Sequence, residues 1–205
     1  MALAGKKAKI LAYSDKVSMT AEATTTSDNI TYQITNAIKR ILSRDDTITV
    51  KDGGTPTVES YTLDRLTGRV TFGSAVVRTI TIDGYYLPVS TVANAYEYSW
   101  SGSGDNAEST TFEKEFIDRQ QTLKDFESSI SQFYEVSNYF YGLLNGDGQF
   151  VLEFYSVGTS SPDVRAWAKI ASDEVSASVD GLVEESLDFE GTVDADKRSV
   201  SFGPF

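Results

Sequence analysis

The sequence has no histidine and no cysteine among its 205 residues. Without histidine the chain lacks the usual general base and the commonest metal ligand, and it cannot form a Ser-His or Cys-His nucleophile. Without cysteine it has neither disulfides nor thiolate metal sites, which fits a reducing cytoplasm. We therefore expect a protein that is not an enzyme and that needs no cofactor and no metal.

Long apolar runs are also missing. No stretch approaches the roughly 20 apolar residues that a membrane-spanning helix needs. The apolar run within residues 1–14 is too short for a signal peptide. The sequence therefore predicts a soluble protein that does not insert into a membrane and does not use the general secretion route.

Acidic residues outnumber basic ones by 30 to 18, a net charge of −12, and the excess is unevenly distributed. Residues 1–96 hold 11 Lys and Arg against 9 Asp and Glu, a net of +2, whereas residues 97–205 hold 7 against 21, a net of −14. A chain that binds nucleic acid needs clustered Lys and Arg. The acidic second half argues against that function.

Plentiful Thr, Ser, Val and Tyr in short alternating runs favour a mainly β architecture. Residues 47–50, 58–63, 69–73 and 77–82 predict a β-meander, and residues 64–68 predict one of its hairpin loops. Residues 17–21 predict a strand and residues 23–28 a loop, whereas residues 36–42 fit either one helical turn or an extended passage. The predicted apolar face of the meander consists of Ile48, Val50, Tyr61, Leu63, Val70, Phe72, Ile80 and Ile82.

The second half of the chain predicts a further series of strands. Residues 94–100 alternate aromatic and polar side chains, and the Ser- and Gly-rich residues 101–109 follow as a loop, either a mobile arm or a plain flexible connection. Residues 110–116 and 123–133 predict two strands joined around residues 118–122. A helix-like spacing over residues 135–144 ends at Asn145-Gly146, and residues 149–155 and 164–171 predict a hairpin.

Residues 173–193 predict another hairpin, with a tight turn at Asp180-Gly181. In its second strand Val183, Leu187 and Phe189 point to one side, and only Glu185 interrupts that apolar side. The opposite side is acidic because it carries Glu184, Ser186, Asp188 and Glu190. This side is either an ordinary solvated surface or a functional one.

Two segments of the sequence resemble segments of a known protein family. VDGLVEESLDFEGT resembles the C-terminal segment of bacteriophage (siphovirus-type) major tail proteins, also called tail tube proteins. TTFEKEFIDRQQTLKDFESSISQFY resembles their paired inner strands. The resemblance implies an antiparallel β-sandwich over residues 1–193 with one short flanking α-helix and long loops, followed by a C-terminal tail, residues 194–205, that is extended or disordered.

The resemblance also implies a function. The chain would assemble with itself into hexameric rings that stack into a tube within the virion tail, after synthesis in the host cytoplasm. Its partners would be further copies, the tape measure protein, the tail terminator and the tail tip proteins. Double-stranded DNA would pass through without specific binding, because lumen carboxylates repel its phosphates.

Particular residues can be matched to these roles. The candidate lumen-facing acids are Glu113, Glu115, Asp125, Glu127, Glu184, Asp188 and Glu190. The candidate inter-ring loop residues are Lys51, Asp52, Gly53, Gly54, Ser101, Gly102, Ser103, Gly104, Asp105 and Asn106. Two alternatives stay open: a tail terminator, neck or decoration protein of a phage particle, and a carbohydrate-binding adhesin module, for which the Tyr and Trp content is the argument.

Overall fold

A computed structural model describes residues 7–13, 15–95, 97–108, 119–133, 149–155, 161–176 and 183–203. Over these residues the fold is mainly β, as predicted, with one 3-10 turn at Ala37–Lys39. The strands are β1 (Lys7–Tyr13), β2 (Val17–Thr26), β3 (Thr31–Ile34), β4 (Thr49–Asp52), β5 (Thr55–Pro56), β6 (Tyr61–Asp64), β7 (Arg69–Phe72), β8 (Ile80–Tyr86), β9 (Val89–Ala95), β10 (Glu97–Glu108), β11 (Arg119–Phe133), β12 (Gln149–Tyr155), β13 (Val164–Ser176), β14 (Glu184–Gly191) and β15 (Val200–Phe202).

The strands form two antiparallel sheets, which fit the predicted mainly β, sandwich-like class. The first sheet has the order β10-β11-β14-β13-β12-β1-β9, and β15 pairs with β13 off this path. The second sheet has the order β5-β4-β8-β2-β3-β7-β6. None of the helical structure in the described part of the chain is long and apolar enough to cross a membrane.

Each sheet buries its own apolar cluster. The cluster of the first sheet includes Ile10, Phe126, Phe150, Leu187 and Phe189. The cluster of the second sheet holds seven of the eight residues predicted for the apolar face of the meander, and the eighth, Tyr61, packs against it half-buried. Burial of a large apolar side chain stabilises a fold by roughly 1.5–3 kcal/mol, so alternation along these strands is enough to orient them.

A third apolar cluster joins the two sheets. It contains Leu11, Ile41, Leu66, Leu87, Val151 and Trp167. Val151 and Trp167 lie on β12 and β13, and they point away from the first cluster because strand neighbours alternate between faces. The central strands of the first sheet are therefore buried on both sides.

Buried polar side chains reinforce this junction. Arg65, 5% exposed, follows β6 and donates to the carbonyl oxygens of Ser43 and Asp46, at 2.7 Å each. Its Nε donates to Asp196 at 2.6 Å. One side chain thus connects the second sheet, the loop before β4 and the C-terminal stretch.

Five sequence predictions need correction. The strands over residues 47–82 do not form a meander, because β4 pairs with β8, β6 pairs with β7, and β2 and β3 lie between β8 and β7 in the sheet. Residues 101–106 are not a loop, because β10 runs through them and pairs with β11. Residues 119–122 belong to β11 and not to a connection, residues 23–26 belong to β2, and residues 58–60 precede the strand β6. In each case the structure depends on whether a neighbouring strand pairs with the segment. Local composition does not record that pairing.

Other predictions are confirmed or lie outside the described residues. β12 pairs with β13 and β13 with β14, as the two predicted hairpins require, and Ala37–Lys39 supplies the helical turn considered for residues 36–42. The predicted strand over residues 110–116, the helix over residues 135–144 and the turn at Asp180-Gly181 lie outside the described residues. In the C-terminal stretch, β15 is extended and pairs with β13.

Candidate functional site

One surface of the first sheet combines carboxylates and serines, and we call it the serine-acid face. It is formed by the outward positions of β10, β11, β14 and β13, which are neighbours in the sheet. Its members are Glu97, Ser99, Ser101, Ser103, Asp125, Glu127, Ser129, Ser131, Lys169, Ser172, Glu174, Ser176, Glu184, Ser186, Asp188 and Glu190, all exposed or half-buried.

The strand register aligns these side chains in rows across the sheet. Glu127 lies opposite Ser101 on one side and Glu190 on the other, and Glu190 lies opposite Lys169. In the next row the Ser172 hydroxyl donates to the Asp188 carboxylate at 2.7 Å. Like charges directly opposite each other on neighbouring strands are unfavourable. Glu127 and Glu190 therefore face each other at some cost in stability.

The alternation of side chains along each strand produces this face. Residues Phe126, Ile130, Leu187 and Phe189 point to the opposite side and are buried in the first cluster. Gly191 ends β14 where a Cβ atom would lie 2.9 Å from the Phe126 Cβ atom. A larger residue there would push β14 away from β11, so glycine allows the close approach that the row of Glu127 and Glu190 requires.

The electrostatic character of the face is strongly negative. It carries seven carboxylates and one lysine, a net charge of −6 at neutral pH. These 16 positions are polar. The same register also places Phe133 opposite Glu184, and the exposed Ala171 precedes Ser172. The middle of the face is a shallow depression of about 460 Å³, lined by Ser99, Ser129, Ser172 and both Glu127 and Glu190 among others.

The chemistry available to the face is limited to charge and hydrogen bonding. Among the described residues no group of three or more Asp and Glu is arranged to hold a metal ion. The serine hydroxyls have no histidine beside them, since the chain has none. The face can repel anions, attract cations loosely and hold water.

Of the seven sequence-predicted lumen acids, the structure brings five together on this face: Asp125, Glu127, Glu184, Asp188 and Glu190. Glu113 and Glu115 lie outside the described residues. Sequence reasoning placed Ser186 on this side but missed Glu97, Glu174 and the other seven serines. The sequence signal that could have identified these serines is their spacing. Serine occupies every second position of residues 99–103 and again positions 129 and 131.

The two predicted inter-ring segments lie in different sheets. Residues 101–106 are part of β10 in the first sheet, with Ser101 and Ser103 on the serine-acid face. Residues 51–54 form the end of the β4–β5 hairpin, where Gly53 and Gly54 have positive φ angles of 57° and 88°. Asp52 accepts the backbone N–H of Thr79 at 3.0 Å, so this hairpin is held against the start of β8.

A pair of carboxyl groups lies on the buried side of the same strands. Glu185, 5% exposed, accepts a hydrogen bond from the amide of Gln132 on β11 and lies beside Asp173 of β13. Burial is the main cause that raises the pKa of both carboxyl groups, and in Glu185 the neighbouring Asp173 raises it further. Two such carboxyl groups in contact are stable when they share a proton.

Two solved structures are similar to part of this chain. No protein-family model matches the sequence, and no curated protein matches it. The chain is similar to a solved structure described as the virion of a native gene transfer agent particle, with a TM-score of 0.44 and 12% identity over 57% of this chain and 89% of that one. It is also similar to the tail of an empty gene transfer agent particle solved with C6 symmetry, with a TM-score of 0.43 and 14% identity over 57% and 87% of the two chains. Both TM-scores are below 0.5, a level at which similarity alone supports no conclusion about function.

Proposed function

We propose that this chain is a structural subunit of a phage-like tail, and that it assembles into stacked hexameric rings forming a tube. In this proposal the serine-acid face lines the lumen through which DNA passes. The observation that carries the proposal is the continuity of that face. Four adjacent strands present 16 polar positions with seven carboxylates and one lysine.

A duplex moving through a channel must not bind its wall. Proteins hold nucleic acids by Lys and Arg contacts to phosphate and by aromatic side chains that stack on bases. The 16 positions of the serine-acid face include one lysine, which lies opposite Glu190, and no aromatic residue, so they offer few contacts of either kind. Its carboxylates repel phosphates over about 8 Å at physiological salt, and its short serine hydroxyls keep the wall hydrated.

An unpaired strand edge supports assembly with further copies. Within the described residues β10 pairs with β11 alone, so one edge of this 12-residue strand is open. A long open edge exposes backbone N–H and C=O groups that favour pairing with another chain. Pairing of β10 with a neighbouring copy would extend the serine-acid face around a ring and remove the open edge.

The test is negative-stain electron microscopy of the purified chain over a concentration series, combined with light scattering. We expect hollow tubes of uniform width with a regular axial repeat, and a mass that rises in steps of six subunits. Addition of tail tip proteins should start tube growth if the chain alone stays monomeric. A chain that remains monomeric in their presence would contradict the proposal.

The same images distinguish the related ring-forming roles. A tail terminator or neck protein would give single rings that do not stack at any concentration. Stacked rings therefore separate a tube subunit from these alternatives. An adhesin module would instead stay monomeric and bind members of a glycan panel.

A further inference from the structure

A groove beside β10, β11 and β15 has an apolar floor and a basic rim. Its volume is about 500 Å³. Trp100, Val193 and Phe202 form the floor, and they are 41%, 55% and 62% exposed. Large apolar side chains that stay this exposed, and that lie together, are characteristic of a contact site. The groove is therefore a candidate interaction surface.

Basic side chains form the rim of the groove. Lys124 and Lys197 are exposed, and Arg198 is half-buried with a guanidinium nitrogen 3.4 Å from the Asp64 carboxylate. Among the described lining residues the acid is Asp125, so three bases and one acid give the lining a net charge of +2. A positive surface on a chain of net charge −12 favours an occupant with acidic groups.

The second sheet carries a different exposed apolar surface, residues 73–79, which we call the valine loop. Its Val76 and Val77 are 49% and 82% exposed. The fully exposed Val58 lies at the same end of the sheet. It precedes β6, the loop follows β7, and the first residue of β6 pairs with the last residue of β7. This end of the sheet therefore presents three aliphatic side chains to solvent.

Hydrogen bonds hold the valine loop in place. The Tyr32 hydroxyl donates to the carbonyl oxygen of Val76 at 2.9 Å and accepts the backbone N–H of Arg78 at 3.2 Å. The Arg78 guanidinium donates to the same carbonyl oxygen at 3.1 Å and lies 4.4 Å from the centre of the Phe72 ring. The loop is thus ordered although its valines are not buried. Such preorganisation reduces the entropy lost when a partner binds.

Acidic side chains flank the valine loop. Asp52 accepts the backbone N–H of Thr79 at 3.0 Å. The loop also donates a backbone N–H to the carbonyl oxygen of Asn29, which follows the exposed Asp28. The cation of the loop itself, Arg78, lies beneath it in an ion pair, with its side chain 2% exposed. The charge around the loop therefore complements the basic rim of the groove.

The groove and the valine loop lie at opposite ends of the β6–β7 pair. Ser201 and Arg198, from the stretch that lines the groove, contact Asp64 at 2.7 and 3.4 Å, and Asp64 ends β6. The valine loop lies at the other end, beside Tyr61. Three residue steps, about 10 Å at roughly 3.3 Å per residue, separate the two ends of β6. One copy thus presents two unlike, complementary surfaces at separate places.

We propose that the valine loop of one copy docks into the groove of a second copy, with Val76 and Val77 on the floor formed by Trp100, Val193 and Phe202. The proposal deepens the proposed self-assembly and rests on it for the second copy. A contact between two unlike surfaces links each copy to two others, one at each surface. We assign it to the contact from ring to ring, because it leaves the open edge of β10 for the contact within a ring.

The test mixes two variants that are each blocked at one surface. Phe202→Glu places an acid on the floor of the groove, and Val77→Lys places a base on the loop that meets the basic rim. Sedimentation velocity should show that each variant alone has lost the contact, with self-association weakened roughly tenfold or more. An equal mixture should associate again, because the intact loop of the first variant fits the intact groove of the second.

The matched control is Ile38→Lys. Ile38 is 71% exposed in the 3-10 turn, outside both surfaces, and this variant should assemble like the wild type. Circular dichroism checks that all variants are folded. Wild-type assembly by either Phe202→Glu or Val77→Lys alone would overturn the inference. A mixture that associates no more than its separate components would also overturn it, and would assign the groove to another occupant.

Cross-linking provides a second measurement, because the chain has no cysteine of its own. A variant with both Val77→Cys and Phe202→Cys should give a ladder of covalent multimers when the assembled protein is treated with a short bismaleimide. The control with Ile38→Cys and Phe202→Cys should give no ladder. Equal products from the two double variants would contradict the contact.

The inference and the proposed function can fail separately. Tubes that form equally well from Phe202→Glu and from the wild type would overturn the inference and leave the tube proposal intact. Association in the mixture, by a chain that never forms rings with its tail tip proteins, would support the contact and contradict the tube.

Discussion

Glu185 is the acid that interrupts the apolar side of β14, and its environment makes it sensitive to pH. Its carboxyl group is buried beside Asp173, and both pKa values are raised, chiefly by burial. Between the ordinary carboxyl pKa, about 4.5 for Glu185, and the raised folded value, the folded state binds more protons than the unfolded one. The contribution of this pair to stability is therefore fully present at acid pH and falls as pH rises through that window.

Glu185→Gln removes this titration while its amide oxygen can still accept the hydrogen bond from Gln132. We expect the variant to gain stability relative to the wild type at pH 7.5 and to lose that advantage near pH 4. Urea denaturation at both pH values measures the difference. Glu184→Gln is the matched control, because Glu184 is the exposed neighbour on the serine-acid face.

An advantage of Glu185→Gln that persisted unchanged at pH 4 would contradict the shared proton. The comparison uses differences between variants, so carboxylates elsewhere cancel. This matters because Asp28, Asp46 and Asp83 have pKa values lowered by hydrogen bonds, and their contributions change with pH in the opposite direction.

Among the strands, β10 is one whose local amino-acid composition predicts the wrong secondary structure. Its Ser-Gly repeat over residues 101–104 has low strand propensity and predicts a loop. In the structure each of these residues pairs with β11, and Trp100 stacks on Phe126 just before the repeat. Contacts with partners 20 to 26 residues away outweigh the local preference, and those contacts are not visible in a short sequence window.

Alternation did predict the second sheet well. Seven of the eight residues predicted for one apolar face lie in its apolar cluster and Tyr61 packs against it, because one buried side per strand leaves a period-two pattern. Five acids of the candidate site were predicted for the same reason. Alternation does not predict the order of the strands in a sheet. The structure shows that β14 lies between β11 and β13, and this position brings Glu127 opposite Glu190.

The connection between the sheets provides a test at this level. Arg65 donates to two carbonyl oxygens and one carboxylate. Arg65→Leu would leave these acceptors without their partner in a buried site, and we expect a loss of about 3–5 kcal/mol in the free energy of unfolding. Arg69→Leu, at a half-buried position of β7, should change it by about 0.5 kcal/mol or less.

Urea denaturation followed by circular dichroism measures both variants. The two sheets should also separate in their unfolding in Arg65→Leu, giving a broader transition than the wild type. A loss no larger than that of Arg69→Leu would show that the apolar cluster around Trp167 alone holds the sheets together.

For the whole molecule, the uneven charge distribution predicts how tubes treat DNA. Exchange of Glu184, Asp188 and Glu190 for Lys changes the net charge of the serine-acid face from −6 to zero. These side chains are exposed and away from the open edge of β10, so rings and tubes should still form. Short duplex DNA should then be retained by the variant tubes and not by wild-type tubes, most strongly at low salt.

Co-sedimentation of duplex DNA with assembled tubes measures retention. The control exchanges Asp15, Asp45 and Glu59 for Lys, which alters the total charge by the same amount at exposed positions outside the face. Asp45 forms a surface ion pair with Arg44, whose loss costs roughly 1 kcal/mol or less. Glu59 pairs with Arg78, whose side chain is 2% exposed, so urea denaturation must first show that the control variant is folded. Equal retention by both variants would show that total charge matters and the face does not.

The positions of the two tryptophans have a spectroscopic consequence. Trp167 is 1% exposed in the cluster between the sheets, whereas Trp100 on β10 is 41% exposed beside Phe126. The chain has no others. Intrinsic fluorescence therefore contains one buried emitter that reports on separation of the sheets and one half-exposed emitter that responds to contacts made at β10. In a Trp100→Phe variant the remaining emission should stay blue-shifted until the fold opens, so the difference between the wild-type and variant signals isolates the change at Trp100 during assembly.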